Sequence, residues 1–600
     1  MVHLKKVKIQ NYKSLKDIKL DIDDYLVIIG KNNSGKTNIL EAIELAFSYA
    51  TIQKEDVFAS KEEPFSTTKK VVIELLFSSV NNENIEQPDF DDRWINALGD
   101  RIAFDNETAN AYFAFKTELT YDNNKETYIN KKTVITTWKD DADSVSAKTI
   151  SRDDLEPFLV MYIDAQRDLA LDIGNRKSQW SKLTSKIKMD EADEADVMDK
   201  IQIINDKIIE GNPILSSMSE NLKSAVSGSD GRVSIIPITN DLSHLYKGMN
   251  VYYDNELIEA TAIERLGLGI RSWSSFSIIK SHIENEKIKR NEKNQAFHSI
   301  LLMEEPESHL HPQAQRHFIN DISNISTQKI VTSHSPYILS RLDLSKLLFV
   351  IKCAAETKVV KLITDDLTNE ELLQINNKVM NTRGELLYSN FVILAEGETE
   401  EFTLPIYFKK FFGKEPFELG VSIIGVGGVG QYKPFTSILN KLGVDWCIFS
   451  DGEEVPLRDV RSVLIDLGLG EIENNNNVFV IPEGKCIELY LVDQGFIDEI
   501  KFAINKMENN DDYLADYKIR HNGQNRKPRN AKLIFDDRTK LLKDYSVENG
   551  DNIAMKDCLL ESKIIYSKEI ATQICNSEKE MPELITDMLE YIKEKLGGEV

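Results

Sequence analysis

The sequence predicts an α/β protein built from two unlike halves, and three observations predict it. A phosphate-loop pattern, GKNNSGKT at 30–37, stands between an apolar run and a helix-like stretch. The strand, turn and helix order starts afresh near Phe391, with acids where a phosphate loop would be. Between the halves, residues 361–386 are polar and partly helical in pattern. At 600 residues the chain is too long for one core, so two or three domains are expected.

The opening segment HLKKVKIQNYKSLKDIKLDID alternates apolar and polar residues, with Leu4, Val7 and Ile9 followed by Ile18, Leu20 and Ile22. That period of two predicts two strands in a hairpin-like pair. The run at 25–29 reads as a buried strand that delivers the phosphate loop. GKNNSGKT fits G-x-x-x-x-G-K-[ST], and each position has a mechanical reason. Gly30 and Gly35 let the backbone turn and aim its N–H groups inward, with Asn33 between them in the loop. The helix NILEAIELAF points its positive end at the same place. Lys36 is expected on the β/γ-phosphates of ATP and Thr37 on Mg²⁺.

VVIELLFSSV (71–80), YFAFKTELTYD (112–122) and FLVMYIDAQRDLA (158–170) read as further strands of one mixed sheet. Residues of about 172–240 are charged and form an expected helical insertion, either a dimerisation arm or a solvated excursion. The sheet is expected to resume at 250–253, with a helix after ATAIERLGLGIRSW. ILLMEEPESHLHP (300–312) has the form of a buried strand carrying acids at its C-terminal edge, where α/β sheets place ligands. Glu304 would hold the Mg²⁺ water shell, and Glu305 would orient or deprotonate the attacking water. KIVTSHSPYIL supplies another short strand ending at His334, within reach of a γ-phosphate.

In the second half, FVILAEGETEE (391–401) places Glu396 at a strand end and Glu400 four residues on, near one face of the first helical turn. GVGGVG (425–430) is a tight glycine turn, and VDWCIFSDGEE (444–454) ends another strand in Asp451 and Glu453. Carboxylates gathered at one sheet edge repel one another unless a cation is present. Hard oxygen donors select Mg²⁺ or Mn²⁺, and such a centre suits phosphodiester chemistry. Acids that merely stabilise helix N-termini account for either turn alone. The two turns together favour the metal.

The strip YKIRHNGQNRKPRNAK (517–532) has no acid, and its Gly and Pro predict a loop. Lys518, Arg520, Arg526, Lys527, Arg529 and Lys532 are expected on DNA phosphates beside the metal. With 73 basic against 98 acidic residues the net charge is −25, which argues against a wholly nucleic-acid-binding surface but permits such a strip. The five cysteines are scattered with no C-x-x-C pair, so plain buried thiols are expected. No apolar run is long enough for a membrane span and no signal-peptide core opens the chain, so a cytoplasmic protein without a membrane partner is expected.

GKNNSGKT, LGLGIR, MEEPESHLHP and TSHS, in that order behind a strand pair, resemble the ATPase head of the ABC superfamily in its RecF/SMC-like branch. The resemblance implies that Gly267 and Gly269 meet the γ-phosphate of ATP held by a partner head. It makes His334 the switch histidine and 308–311 the D-loop. Two departures stand out: the signature lacks its usual serine, and the Walker B pair is Glu-Glu. The second half resembles a Toprim domain, with D-G-E in place of D-x-D.

An ABC-type head followed by Toprim is the layout of the OLD (overcoming lysogenisation defect) family of ATP-dependent endonucleases, which includes the Gabija antiphage endonuclease. That layout implies an ATPase domain over 1–360, a linker over 361–388 and a Toprim nuclease domain over 389–600. It further implies ATP with Mg²⁺ at the head, Mg²⁺ or Mn²⁺ at the Toprim site, and a DNA substrate. A homodimer or higher oligomer through heads and insertion, a UvrD-like helicase partner and antiphage defence come with it. The family also uses a later acid and a lysine, carried over here to Glu488 in IPEGKCIELYL and Lys563 in LLESKIIYSKEIA, with Lys556 and Lys568 as competitors. The resulting expectation is an ATP-regulated, metal-dependent DNA endonuclease. The alternative is an ATP-gated DNA-binding clamp ATPase with a structural or degenerate Toprim domain.

Overall fold

The computed structural model describes residues 1–81, 83–165, 191–212, 252–255, 258–262, 265–308, 310–339, 342–353, 356–362, 368–380, 383–428 and 431–597. Most of the expected insertion at 172–240 therefore lies outside the described residues; within it, Glu191–Gly211 is a helix. Parts of the expected D-loop, glycine turn and linker (309, 429–430, 363–367 and 381–382) also lie outside them.

In chain order the strands are β1 Val2–Tyr12, β2 Leu15–Asp21, β3 Tyr25–Ile29, β4 Val71–Ser79, β5 Ile102–Phe104, β6 Ala111–Asp122, β7 Thr127–Thr137, β8 Val145–Thr149 and β9 Phe158–Ile163. There follow β10 Tyr252–Asn255, β11 Ile258–Ala262, β12 His298–Glu304, β13 Gln328–Ser333, β14 Leu347–Cys353, β15 Glu356–Lys361, β16 Phe391–Ala395, β17 Val421–Gly425, β18 Asp445–Ser450 and β19 Val478–Val480. The chain divides into two compact units, Met1–Val27 with Thr37–Ser333, and Ile28–Lys36 with His334–Val600.

In the first unit, β1 and β2 pair antiparallel with Val7 opposite Leu20 and Ile9 opposite Ile18, so the alternating apolar residues share one buried face. One expectation is corrected here. β4 and β6 do not extend the sheet of the phosphate-loop strand; they join β1, β2, β7 and β8 in a separate antiparallel sheet ordered β2-β1-β4-β6-β7-β8, with β5 on β6. The short β6–β7 turn forces an antiparallel neighbour, whereas a parallel one needs a long crossover. A second layer holds β9, β12 and β13, all parallel, with Leu302 opposite Tyr162 on one side and Ile330 on the other. β12 and β13 are buried almost throughout, which is why ILLM and KIVTS read as continuous apolar runs. The expected return to the main sheet at 250–253 is also corrected: β10 and β11 form a two-stranded ribbon of their own. The expected helix starts earlier than the end of ATAIERLGLGIRSW: it runs Leu268–Glu292 and begins inside LGLG.

In the second unit, β14 and β15 form an antiparallel pair, and β17-β16-β18-β19 form a parallel sheet. Ala395 lies level with Gly425 on β17 and Phe449 on β18, so the three strands end at one edge. The chain goes from β16 to β17 on one side and then to β18 on the other. The reversal opens a crevice at the carboxyl ends, the place where open α/β sheets take ligands. Beyond β19 the described chain is mostly helical, and Ile487, Ile570 and Met588 of that part share a core with Leu404, Tyr407 and Phe449. Among the described residues no helix is long and apolar enough to cross a membrane.

Candidate active site

Four carboxylates converge where β16 and β18 end. Glu396 follows the last residue of β16, and Gly397 caps the helix Glu398–Phe412, whose first turn carries Glu400. The Gly397 N–H donates to Glu400 Oε2 at 3.0 Å. Asp451 follows β18, and its Oδ1 accepts from the N–H of Ile487 at 3.1 Å. That bond ties the strand end to the helix Ile487–Asp493, whose first turn carries Glu488. The glycine of D-G-E is dictated by space: a Cβ on Gly452 would lie 1.9 Å from the Ile481 carbonyl oxygen.

Glu400, Asp451 and Glu488 are each only 5% exposed, so their charges are poorly solvated. Burial, then Glu488 and Glu396, pushes the Glu400 carboxyl up to about 7. Burial, then Glu400 and Glu396, raises Asp451 well above the usual aspartate range. Glu396 is raised by burial and by the charge on Glu453. Lys563, at the start of the helix Lys563–Asn576, stands 3.1 Å from Glu488 Oε2. Burial opposes its charge, yet Glu488, Cys486 and Asp451 outweigh that and hold the ammonium above the ordinary lysine value.

One lysine among four acids leaves surplus negative charge. Glu396 Oε2 and Glu488 Oε1 are buried and make no hydrogen bond. Orphaned carboxylate oxygens within a like-charged group fit a hard divalent cation. Among the described residues no three His, Cys, Asp or Glu side chains already stand as a ready metal cage. Mg²⁺ is commonly held by one or two carboxylates, with water and substrate phosphate completing its shell, so that arrangement suits it.

Of the other candidates, Glu453 is gripped by Arg529, with Nη2 to Oε1 at 2.8 Å and Nε to Oε2 at 3.1 Å. Lys556 pairs with Asp493, and Lys568 lies over the Phe402 ring, so Lys563 is the lysine brought to the acids. A group missed at the sequence level is Tyr432. Its buried phenol is raised by burial and by Glu396, Glu400 and Asp451 around it. A tyrosine opening a helix carries no signal of that placement. Cys447, Cys486, Cys558 and Cys575 are free and buried.

The phosphate loop has the backbone its pattern demands. A Cβ on Gly30 would meet the Val350 carbonyl oxygen at 2.2 Å, and Asn33 and Gly35 have φ of 63° and 105°, in the left-handed region. Lys36 Nζ donates to the carbonyls of Gly30 at 2.8 Å and Lys31 at 2.9 Å. In the first unit, the Thr37 hydroxyl donates to Glu304 Oε1, and the Tyr162 hydroxyl donates to Glu304 Oε2 at 3.0 Å. Glu305 follows with φ of 41°, its N–H on the Thr332 carbonyl at 3.0 Å. Gly267 caps the helix Leu268–Glu292 and Gly269 lies in its first turn, between exposed Leu268 and Ile270. His334 is exposed directly after β13.

The basic strip departs from expectation in two ways. It is mostly helix, Tyr513–His521 and Pro528–Phe535, with Pro528 at a first position where its missing N–H is harmless. Arg526 is not a DNA contact: its side chain is 1% exposed, bridged to Asp557 at 2.8 Å and donating to the Lys540 carbonyl. A buried, paired guanidinium cannot leave for a phosphate without stranding its partner. Lys518 pairs with Asp551 and Lys532 with Glu454, while Arg520 lies over the Tyr513 ring and Lys527 is exposed.

Residues 3–339 match the family described as AAA ATPase domain, and residues 387–452 match the Overcoming lysogenization defect protein-like TOPRIM domain. The chain belongs to the AAA ATPase family and carries an OLD-like TOPRIM domain. Among relatives of this AAA–TOPRIM chain, the Old nuclease of Escherichia phage P2 is 24% identical over 489 residues, covering 75% of this chain and 77% of the relative. Endonuclease GajA of Bacillus cereus (strain VD045) is 25% identical over 484 residues, 78% of each chain. The C-terminal region of the Xanthomonas campestris pv. campestris OLD protein aligns at 19% identity and a TM-score of 0.25, over 35% of this chain and 98% of that one. The TOPRIM match contains Glu396, Glu400 and Asp451 and stops at Gly452, so Glu488 and Lys563 join the site through geometry alone.

Proposed function

We propose that this chain is a divalent-metal-dependent DNA endonuclease whose cutting is governed by ATP bound at its ATPase half. The observation that carries the reading is the group of buried Glu400, Asp451 and Glu488 and half-buried Glu396, with orphaned oxygens and Lys563 beside it. The names of the phage P2 and Bacillus cereus relatives support nuclease chemistry. Glu396, Glu400, Asp451 and Glu488 would hold Mg²⁺ or Mn²⁺, with Glu453 at the rim. When bound, the metal neutralises charge and polarises a water.

The chain's own groups do the rest. An ionised carboxylate of this group, Glu400 among them, accepts the proton that the attacking water gives up as its oxygen bonds to phosphorus and the sugar oxygen leaves. Lys563 Nζ steadies charge that develops on the phosphate oxygens. Lys527, Arg520 and Arg529 position the backbone of the DNA.

At the head, Gly30, Asn33, Gly35 and Lys36 cradle ATP, Thr37 and Glu304 hold its Mg²⁺, and Glu305 and His334 address the γ-phosphate. Gly267 and Gly269 serve a second copy's nucleotide in a homodimer. Domain limits of 1–360 and 389–600 with a linker over 361–388, a cytoplasmic setting, a helicase partner and antiphage defence rest on the family layout. One observation favours the alternative of a clamp ATPase with a structural TOPRIM domain: no three acids among the described residues form a ready cage. The test is nicking of supercoiled plasmid with Mg²⁺ or Mn²⁺ by wild type and Lys36→Ala, each with ATP, a non-hydrolysable analogue or no nucleotide. DNA left intact in every arm sinks the nuclease; cutting that is equal in every arm sinks ATP control.

A further inference from the structure

Within the second unit, a side chain of the phosphate loop meets the entrance of the parallel sheet. Lys31, the residue after Gly30, donates its Nζ to Asn390 Oδ1. Asn390 immediately precedes β16, the strand that ends at Glu396. The rest of Asn390 is already committed to the sheet. Its Nδ2 donates to the Leu419 carbonyl at 3.0 Å, and its N–H donates to the Gly420 carbonyl at 2.6 Å. Gly420 has φ of +68°, and a Cβ there would lie 2.5 Å from Asn390 Nδ2, so the turn is shaped around this side chain. Asn390 therefore staples the entrances of β16 and β17 together, about 20 Å of strand from the acids at their far ends.

The other end of the contact is poised to move. Lys36 Nζ is bound to the carbonyls of Gly30 and Lys31, and the phosphate oxygens of an entering nucleotide would compete with those carbonyls for its protons. One of those carbonyls is that of Lys31 itself. A cavity of about 320 Å³ lies alongside, lined by Lys31, Ser34, Ser389, Asn390, Leu442 and Val444, and gives the Lys31 side chain space to leave. Both Lys31 and Asn390 are exposed, so the pair contributes little to stability. Its consequence is connectivity.

We propose that Lys31 and Asn390 form the link by which nucleotide occupancy of the phosphate loop is reported to β16 and the acids at its end. This rests on the nuclease reading above and names the route of its control. A ligand shifts an equilibrium only through contacts that differ between two states, and the Lys36 exchange is such a contact. Asn390 acts as a positioning residue through β16.

The test uses the full chain as wild type, Asn390→Ala and Lys31→Met. Three readouts are needed: affinity for a fluorescent ATP analogue, the ratio of plasmid nicking with and without ATP, and amide exchange over 391–396. Wild type should show a nicking ratio that departs from one by about fivefold or more, as coupled sites do. Asn390→Ala should bind the analogue within about threefold of wild type, as expected for loss of an exposed contact. Its nicking ratio should collapse toward one, and ATP should no longer alter exchange over 391–396. Lys31→Met leaves the Leu419 and Gly420 bonds intact and should lose the ratio likewise, so a folding defect in Asn390→Ala cannot mimic the result. Variants that bind ATP and keep the full wild-type ratio overturn the link alone. A wild type indifferent to ATP removes control itself, and the link with it.

Discussion

Lys563 Nζ lies 3.1 Å from Glu488 Oε2, which brings an ammonium to the crowded carboxyls of Glu396, Glu400, Asp451 and Glu488. The Lys563 side chain is 30% exposed, so solvent screens part of the pair, and Lys563→Met should destabilise the metal-free protein by about 1–3 kcal/mol. Saturating Mg²⁺ should return part of that loss, because a cation again balances Glu488. Nicking should fall by about 10²-fold or more, the usual effect of removing a charge-stabilising donor. Thermal melts with EDTA or Mg²⁺, together with nicking rates, check both halves.

In the metal-free protein Glu400 should contribute stability that is lost as pH rises, against the opposite trend of His298, whose imidazole is held down to about 3 by burial. The Glu400 carboxyl moves from 4.5 to about 7 on folding, so the folded state holds a proton over a range where the unfolded chain has released it. The stability is fully present below about 4.5 and is lost as pH climbs through about 7, with Asp451 adding in the same direction. For Glu400 alone the swing is about 3 kcal/mol. Divalent metal favours the ionised carboxylates, so its binding should release protons and tighten as pH rises. The difference in stability between wild type and Glu400→Gln, from melting curves against pH in EDTA, should fall as pH climbs from about 4.5 to about 7.

Gly452→Ala should be disruptive although it adds a single methyl. The new Cβ would sit 1.9 Å from the Ile481 carbonyl oxygen, and backbone has to move on one side or the other. Asp451 and Glu453 flank that position, so the acids move with it. A loss of about 1–3 kcal/mol is the scale for overpacking, with nicking reduced well beyond the loss of folded protein. Activity normalised to the folded fraction measures this.

Within the basic strip, Arg526 and Lys527 should behave as opposites. Arg526→Ala strands the buried Asp557 and should destabilise by about 3–5 kcal/mol. Lys527→Ala should leave the melt unchanged, weaken DNA binding across sequences and reduce its salt dependence by about one ion. Binding titrations at several salt concentrations separate the two.

How much of this was legible beforehand depended on whether a residue's role is local. The phosphate loop was readable because a Cβ at Gly30 has no room and Asn33 and Gly35 need left-handed backbone. The acids after β16 and β18 were readable because apolar strands that end in carboxylates place them at a sheet edge. The partition of strands was not: period-two alternation says which face is buried, and nothing about which strand is the neighbour. Alternation alone therefore groups β4 and β6 with β3 in one mixed sheet, whereas they pair with β1 and with each other. Arg526 failed for a related reason, since its partner Asp557 lies on a separate helix and a charged residue looks the same whether solvated or buried. The Arg529–Glu453 and Lys31–Asn390 contacts likewise join residues far apart in the chain.

The central claim is that Glu400 and Asp451 form a metal-dependent phosphodiester site. It is tested most directly by nicking of supercoiled plasmid in Mn²⁺ by wild type, Glu400→Gln and Asp451→Asn at matched folded concentration. Wild type should nick in Mn²⁺ and stop on chelation, and each variant should lose about 10²-fold or more. Nicking that survives chelation, or variants that cut as fast as wild type, would contradict the account.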